Sequence, residues 1–285
     1  MQKREYGNTG EQLSIIGFGG IVVSQTEPAE AARLVGEAVD RGVNYFDVAP
    51  TYGNAQERLG PALEPYRQGA FLACKTTQRT AAASRRELEE SLRLLRTDRV
   101  DLYQMHAVNT AEDLEAVLGP GGALETFLRA REEGKTRYLG FSSHSVETAL
   151  ALMDRFDFDS VLFPVSWINY IGSGFGPQVI DKAARKGMGR LALKAMARGK
   201  LPDGAEKKWK KCWYAPIDDP HLASLAVRFA LSQPITAALP PGEAALFRMA
   251  MDIGDGFTPI TDGEIEELQH LARNHTPLFE LASAA

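Results

Sequence analysis

Four side chains with complementary proton chemistry stand in or just after short apolar runs: Asp47, Tyr52, Lys75 and His106. Asp47 closes Asn44-Tyr45-Phe46-Asp47, with Tyr52 in the loop that follows; Lys75 closes Phe71-Leu72-Ala73-Cys74-Lys75. His106 closes Val100-Asp101-Leu102-Tyr103-Gln104-Met105-His106. A phenol has an ordinary pKa of about 10 and is a poor acid at neutral pH. An ammonium beside it favours the phenolate and lowers that value. A carboxylate would keep the ammonium charged and oriented, and an imidazole can donate a hydrogen bond to a substrate oxygen. The set suits a reaction in which an oxygen gains or loses a proton while its carbon exchanges a hydride. No side chain carries a hydride, so a cofactor must supply it. Singly, each residue has a plainer reading: a helix cap, loop packing, a lysine reaching for water, a structural histidine. Together, at the ends of three adjacent strands, they read as a site.

The elements that must carry these residues alternate in type. Strand-like runs fall at 13–17, 44–48, 71–75, 100–106, 137–142, 160–165, 189–195 and 236–239. Amphipathic stretches separate them, at 28–40, 55–66, from Ser84 onward, 123–133, 145–156, 178–185, 220–231 and 243–251. Ser84 with Glu87 has the spacing of a capping box, and Gly42 and Gly134 stand where helices stop. Alternation predicts a parallel sheet, and eight units predict closure into one (β/α)8 TIM barrel, an α/β fold occupying residues 1–285 as a single domain. Chemistry in such barrels gathers at the rim where the strands end. Asn8-Thr9-Gly10 predicts a hairpin turn before the first barrel strand. An extra helix is expected over 261–275, capped by Thr261 or Asp262. The irregular stretch 197–219 has the length of a lid or binding loop.

Bulk properties narrow the function. The net charge of −5 argues against nucleic-acid binding, and the short Lys207-Lys208-Trp209-Lys210-Lys211 cluster reads as a solvated loop. Cys74 and Cys212 are the two cysteines and form no CxxC pair, so zinc and a disulfide framework are not expected. Asp47, His106 and His144 lack the spacing of a metal site, and no metal is expected. No run approaches the ~20 apolar residues of a membrane span, and the N-terminal residues have no signal-like stretch. A cytoplasmic protein acting on a small molecule is the expectation, with oligomeric state left open. Trp167, Trp209, Trp213 and Tyr214, in the loops after strands six and seven, would wall the barrel mouth and suit an apolar or aromatic compound.

Three stretches resemble the aldo-keto reductases: Asn44 to Gly53 with Glu57-Arg58-Leu59-Gly60-Pro61-Ala62-Leu63, then Thr97 to His106, then Gly134 to Ser143. The opening hairpin and the Gly17-Phe18-Gly19-Gly20 turn agree with them. The resemblance implies a barrel whose bottom is closed by the hairpin. It implies carbonyl reduction with Tyr52 as general acid, Lys75 lowering its pKa, Asp47 pairing with Lys75 and His106 orienting the carbonyl. It also implies a nicotinamide cofactor, NADP(H) or NAD(H), lying across the rim against Gly19, Gly20, Ile21, Asp47, Ser142, Ser143, Leu193, Lys194, Gly242, Glu243 and Arg248. No G-x-G-x-x-G follows a strand, which agrees with a cofactor held without a Rossmann domain. The departures lie in the cofactor half. Ser143 stands where the family has Asn, Leu162 where it has Gln, and Lys194 where it often has Tyr. Glu243 would repel a 2′-phosphate and could accept from a 2′-hydroxyl, whereas the family favours NADP(H). Two other readings remain: a nucleotide-binding regulatory module with a vestigial reductase site, and a Schiff-base barrel using Lys75 or Lys194.

Overall fold

The computed structural model describes residues 1–202, 204 and 206–281. A hairpin opens the chain, β1 (Lys3–Glu5) antiparallel to β2 (Gln12–Ser14). Strands and helices then alternate: β3 (Phe18–Gly19), α1 (Pro28–Asp40), β4 (Tyr45–Val48), α2 (Ala55–Leu63), β5 (Phe71–Thr76), α3 (Ala81–Leu94) and β6 (Val100–Met105). After β6 come two helices, α4 (Ala111–Leu118) and α5 (Ala123–Glu132), then β7 (Thr136–Ser142), α6 (Val146–Arg155) and β8 (Ser160–Pro164). Two more helices follow, α7 (Trp167–Ser173) and α8 (Pro177–Arg185), then β9 (Gly189–Leu193) and a short antiparallel pair, β10 (Ala197–Gly199) with β11 (Ala215–Pro216). The chain continues through α9 (Pro220–Ser232), β12 (Ala237–Leu239), α10 (Ala244–Asp255) and α11 (Asp262–Ala272).

Eight of these strands form one parallel sheet in the order β3-β4-β5-β6-β7-β8-β9-β12. A parallel bridge between Ile16, just before β3, and Ala238 of β12 brings its two edges together and curls it into a (β/α)8 barrel. Strand residues alternate in direction, and here both faces are buried. Phe46, Val48, Leu72, Cys74, Tyr103 and Met105 pack outward under the helices. Tyr45, Phe71, Ala73, Leu102, Leu162 and Leu191 fill the barrel interior with Tyr6 and Leu13 of the hairpin. The helices bury one stripe each; in α1 it is Ala31, Leu34, Val35 and Ala38, with Pro28 at its start.

Several boundaries differ from those expected. Residues 13 and 14 belong to the hairpin, not to the first barrel strand. Leu13 points into the bottom of the barrel and Asn44 Oδ1 accepts from the Ser14 amide at 2.7 Å. Helix α3 begins three residues before Ser84, which is buried inside it. Glu87 does not return to a cap, because its carboxylate accepts from Thr76 and Gln78 at the end of β5. Helices α4 and α7 were not expected. The capping box forms on α11 instead, between Thr261 and Glu264. The 197–219 stretch carries β10 and β11, and Asp203 and Ala205 within it lie outside the described residues. No helix among the described residues is long and apolar enough to cross a membrane.

Candidate active site

Strand alternation builds the site. Asp47 lies two residues beyond Tyr45 on β4, Lys75 two beyond Ala73 on β5, and Gln104 two beyond Leu102 on β6. All continue the inward rows toward the C-terminal rim. Lys75 Nζ donates to Asp47 Oδ1 and to Tyr52 Oη, the latter at 3.4 Å. Asp47 Oδ2 accepts from Gln104 Nε2 at 2.9 Å and from Tyr45 Oη at 3.1 Å. Lys75 is 0 % and Asp47 1 % exposed. Such a pair survives burial because each charge is compensated and hydrogen-bonded. Tyr52 is set by a turn, its amide donating to the Ala49 carbonyl at 3.1 Å. Its ring meets that of His106 edge to face, with centroids 6.0 Å apart.

Burial pushes the Tyr52 phenol above its ordinary pKa; the Lys75 ammonium pulls the other way and Asp47 adds to the rise. The expected lowering by Lys75 is present as one contribution and does not prevail. Burial alone would lower the Lys75 ammonium, but Asp47 and Tyr52 outweigh it and hold it charged. Burial, with Lys75 adding to it, lowers His106 to about 3. Burial, then Lys194, lowers His144 to about 4. Both imidazoles are therefore neutral at physiological pH. His106 Nδ1 and His144 Nε2 are buried without a hydrogen-bond partner among the described residues.

Asp47, Tyr52 and His106 line one cavity of about 320 Å³ with Gly19, Ile21, Leu193, Lys194 and Gly242. The remaining cofactor candidates lie outside that lining. Gly20 backs onto Val48. Ser142 Oγ accepts from the Ala107 amide at 2.9 Å, and Ser143 Oγ is tied to Ser145 within its own turn. Glu243 Oε1 accepts from the Lys211 amide at 2.8 Å. Arg248 clamps Glu37 of α1 through two nitrogens, at 2.7 and 2.8 Å. Of the four aromatics expected at the mouth, Trp213 and Tyr214 line the cavity. Trp167 is buried and Trp209 donates to Asp218. Residues that sequence reasoning did not place here include Lys211, Cys212, Leu239, Pro240 and Pro241. Gln104 was missed as well, although its strand parity with His106 carried the signal. Burial pushes the Cys74 thiol up to about 11, as suits an inert core residue. A larger cavity, about 760 Å³, lies at the opposite end of the barrel. Its arginines are paired with acids, Arg67 and Arg137 with Asp101 and Arg96 with Glu64.

A nicotinamide nucleotide finds matching features along this rim. Leu162, Leu193 and Leu239 offer an apolar surface for a flat ring. Gly242 fits close against Ile21, whose Cγ2 would lie 2.1 Å from any added Cβ. Helix α10 follows at once, with no side-chain cap on its first amides, and such a terminus favours a phosphate.

Comparison with known proteins agrees with this architecture. A family model described as the aldo/keto reductase family matches residues 15–245. L-Galactose dehydrogenase of Arabidopsis thaliana is 27 % identical over 225 residues, 73 % of this chain and 70 % of the plant protein. The oxidoreductase YqkF of Bacillus subtilis is 23 % identical over 94 % of this chain and 96 % of its own. The holo form of aldo-keto reductase AKR11C1 from Bacillus halodurans superposes with a TM-score of 0.75 at 24 % identity. That likeness covers 95 % of this chain and 96 % of the other and speaks to the fold. The barrel and a sequence match running from the first barrel strand to α10 converge, and the chain belongs to the aldo/keto reductase family.

Proposed function

We propose that this chain reduces an aldehyde or ketone to the alcohol, with a hydride drawn from NADPH or NADH and a proton from Tyr52. The reading is carried by one observation: a fully buried lysine held by Asp47 lies 3.4 Å from the phenol oxygen of Tyr52, under a cavity that His106 also lines. A carbonyl oxygen resting between Tyr52 and His106 would receive a hydrogen bond from each. The phenol, with an ordinary pKa of about 10 that burial raises further, holds its proton at neutral pH until a basic alkoxide develops beside it. Proton transfer to the developing alkoxide leaves a phenolate, and the Lys75 ammonium beside it stabilises that charge. Asp47, fixed by Tyr45 and Gln104, keeps the ammonium in place. His106, uncharged, polarises the carbonyl without competing for the proton. Gly19, Ile21, Leu193, Gly242 and the first amides of α10 would hold the nucleotide, which supplies the hydride when bound.

The test is turnover of small aldehydes and ketones with NADPH and NADH, followed by nucleotide absorbance. General acid catalysis contributes about 10²–10⁴-fold, so Tyr52→Phe should lower kcat by that factor and leave nucleotide affinity unchanged by calorimetry. Full activity in that variant would remove Tyr52 as the acid.

A further inference from the structure

Lys194 follows β9 directly, and its backbone is in the left-handed region, with φ 70°. Non-glycine residues held there cluster where the surrounding structure enforces a functional geometry. Its ammonium lies 4.7 Å from the ring centre of Trp213 and 4.4 Å from that of Tyr214. Aromatic faces attract a cation but do not neutralise it. No acid among the described residues forms an ion pair with Lys194, and the one carboxylate in the cavity lining, Asp47, is held by Lys75. The other lysine of the lining, Lys211, donates from Nζ to the Val22 carbonyl at 2.7 Å. Lys194 is thus a half-buried cation facing a cavity in which no acid of the described residues pairs with it, a costly arrangement that an anionic ligand would relieve. His144 lines the same cavity, with Nε2 buried and unpartnered.

These groups share their cavity with Tyr52 and His106, and its volume, about 320 Å³, is at the low end for ligand sites. A small molecule with two polar ends fits it. We propose that Lys194, assisted by His144, selects carbonyl substrates that carry a carboxylate, an oxo acid whose anionic end meets the ammonium while its carbonyl oxygen meets Tyr52 and His106. This rests on the reductase reading and adds the substrate class. Burial lowers the ammonium to about 8, so it is charged at neutral pH, and a bound carboxylate would raise it again.

Calorimetry on the full chain, with and without saturating oxidised nicotinamide nucleotide, compares 4-oxopentanoate with its uncharged amide, 4-oxopentanamide. Charge-assisted hydrogen bonds predict a preference for the acid of about tenfold or more. In Lys194→Met that preference should collapse, and in Lys194→Arg it should persist. Equal binding of acid and amide to the unaltered chain overturns the proposal and needs no variant to interpret. So does a preference that survives in Lys194→Met. A loss of nucleotide affinity in Lys194→Met with the acid-to-amide ratio intact also overturns it, because the cation would then serve a cofactor phosphate. Borohydride trapping of the ketone on Lys194 would overturn it too, as the mark of an amine that attacks the carbonyl. The preference should persist in Tyr52→Phe, so loss of turnover in that variant tests the reductase reading separately.

Discussion

Removing one half of a buried ion pair differs from removing both. In Lys75→Met, the Asp47 carboxylate would be left in the interior with Tyr45 and Gln104 as its donors. Stranding a buried charge costs about 3–5 kcal/mol, whereas replacing both partners by neutral groups is often nearly free. Lys75→Met should therefore lose that much stability in urea denaturation, and Asp47→Asn with Lys75→Met should recover most of it. Turnover should be lost in both, which separates the catalytic part of Lys75 from its structural part. A single variant as stable as the unaltered chain would show that the pair is solvated. The two buried imidazoles give a second expectation. Their folded pKa values, about 3 for His106 and about 4 for His144, lie below the ordinary 6.5. As pH falls below 6.5 the unfolded chain takes up these protons and the folded chain does not. The stability they preserve is complete above 6.5 and is lost as pH falls toward 4. At pH 5 the loss is about 2 kcal/mol for each. Urea midpoints at pH 8 and pH 5 read it, and equal midpoints would place both rings in contact with water. The pairing of His221 with Glu267 acts in the opposite sense but is exposed and weak.

At the scale of elements, what the sequence reveals depends on how far apart the deciding contacts lie. Strand and helix order was legible because it is written in local periodicity: β4, β5 and β6 are short, mostly apolar runs buried on both faces, and α1 shows one apolar stripe. The meeting of Asp47, Lys75 and Tyr52 was legible for the same reason. Asp47, Lys75 and His106 all close strand runs, and parallel strands in one barrel end at one rim. The cofactor half was less legible. Arg248 is taken by Glu37 on α1, a partner 211 residues away, and no local pattern announces that. Glu243 is spent on the Lys211 backbone for the same kind of reason. Ser84 and Glu87 have the spacing of a cap, yet the nearby end of β5 offers Glu87 two donors and the helix starts earlier. Trp213 and Tyr214 reach the cavity because β10 and β11 fold the loop back, and their pairing joins residues too widely spaced for a turn signal to show it.

The hairpin and the proposed active site lie at opposite ends of the barrel. At the bottom the hairpin inserts Tyr6, fully buried, with its ring 5.0 Å from Phe71 and 5.5 Å from Tyr138 in edge-on contacts. Gly189 gives it room; a Cβ there would lie 2.3 Å from the Tyr6 ring. Asp47, Lys75 and Gln104 continue the same inward rows at the far end, beyond Tyr45, Ala73 and Leu102, and Tyr52 stands in the turn after β4. Tyr6→Ala should therefore cost about 3–5 kcal/mol, as expected for a large aromatic removed from a core. Gly189→Ala should cost about 1–3 kcal/mol by overpacking. Neither change reaches Lys75 or Tyr52, so kcat/KM measured well below the unfolding transition should stay within about twofold of the unaltered chain. Thermal denaturation and turnover on the same samples give both quantities. A variant that keeps its stability, or one that stays folded and loses turnover, would mean that the two ends are coupled through the barrel interior and that the hairpin helps to set the rim.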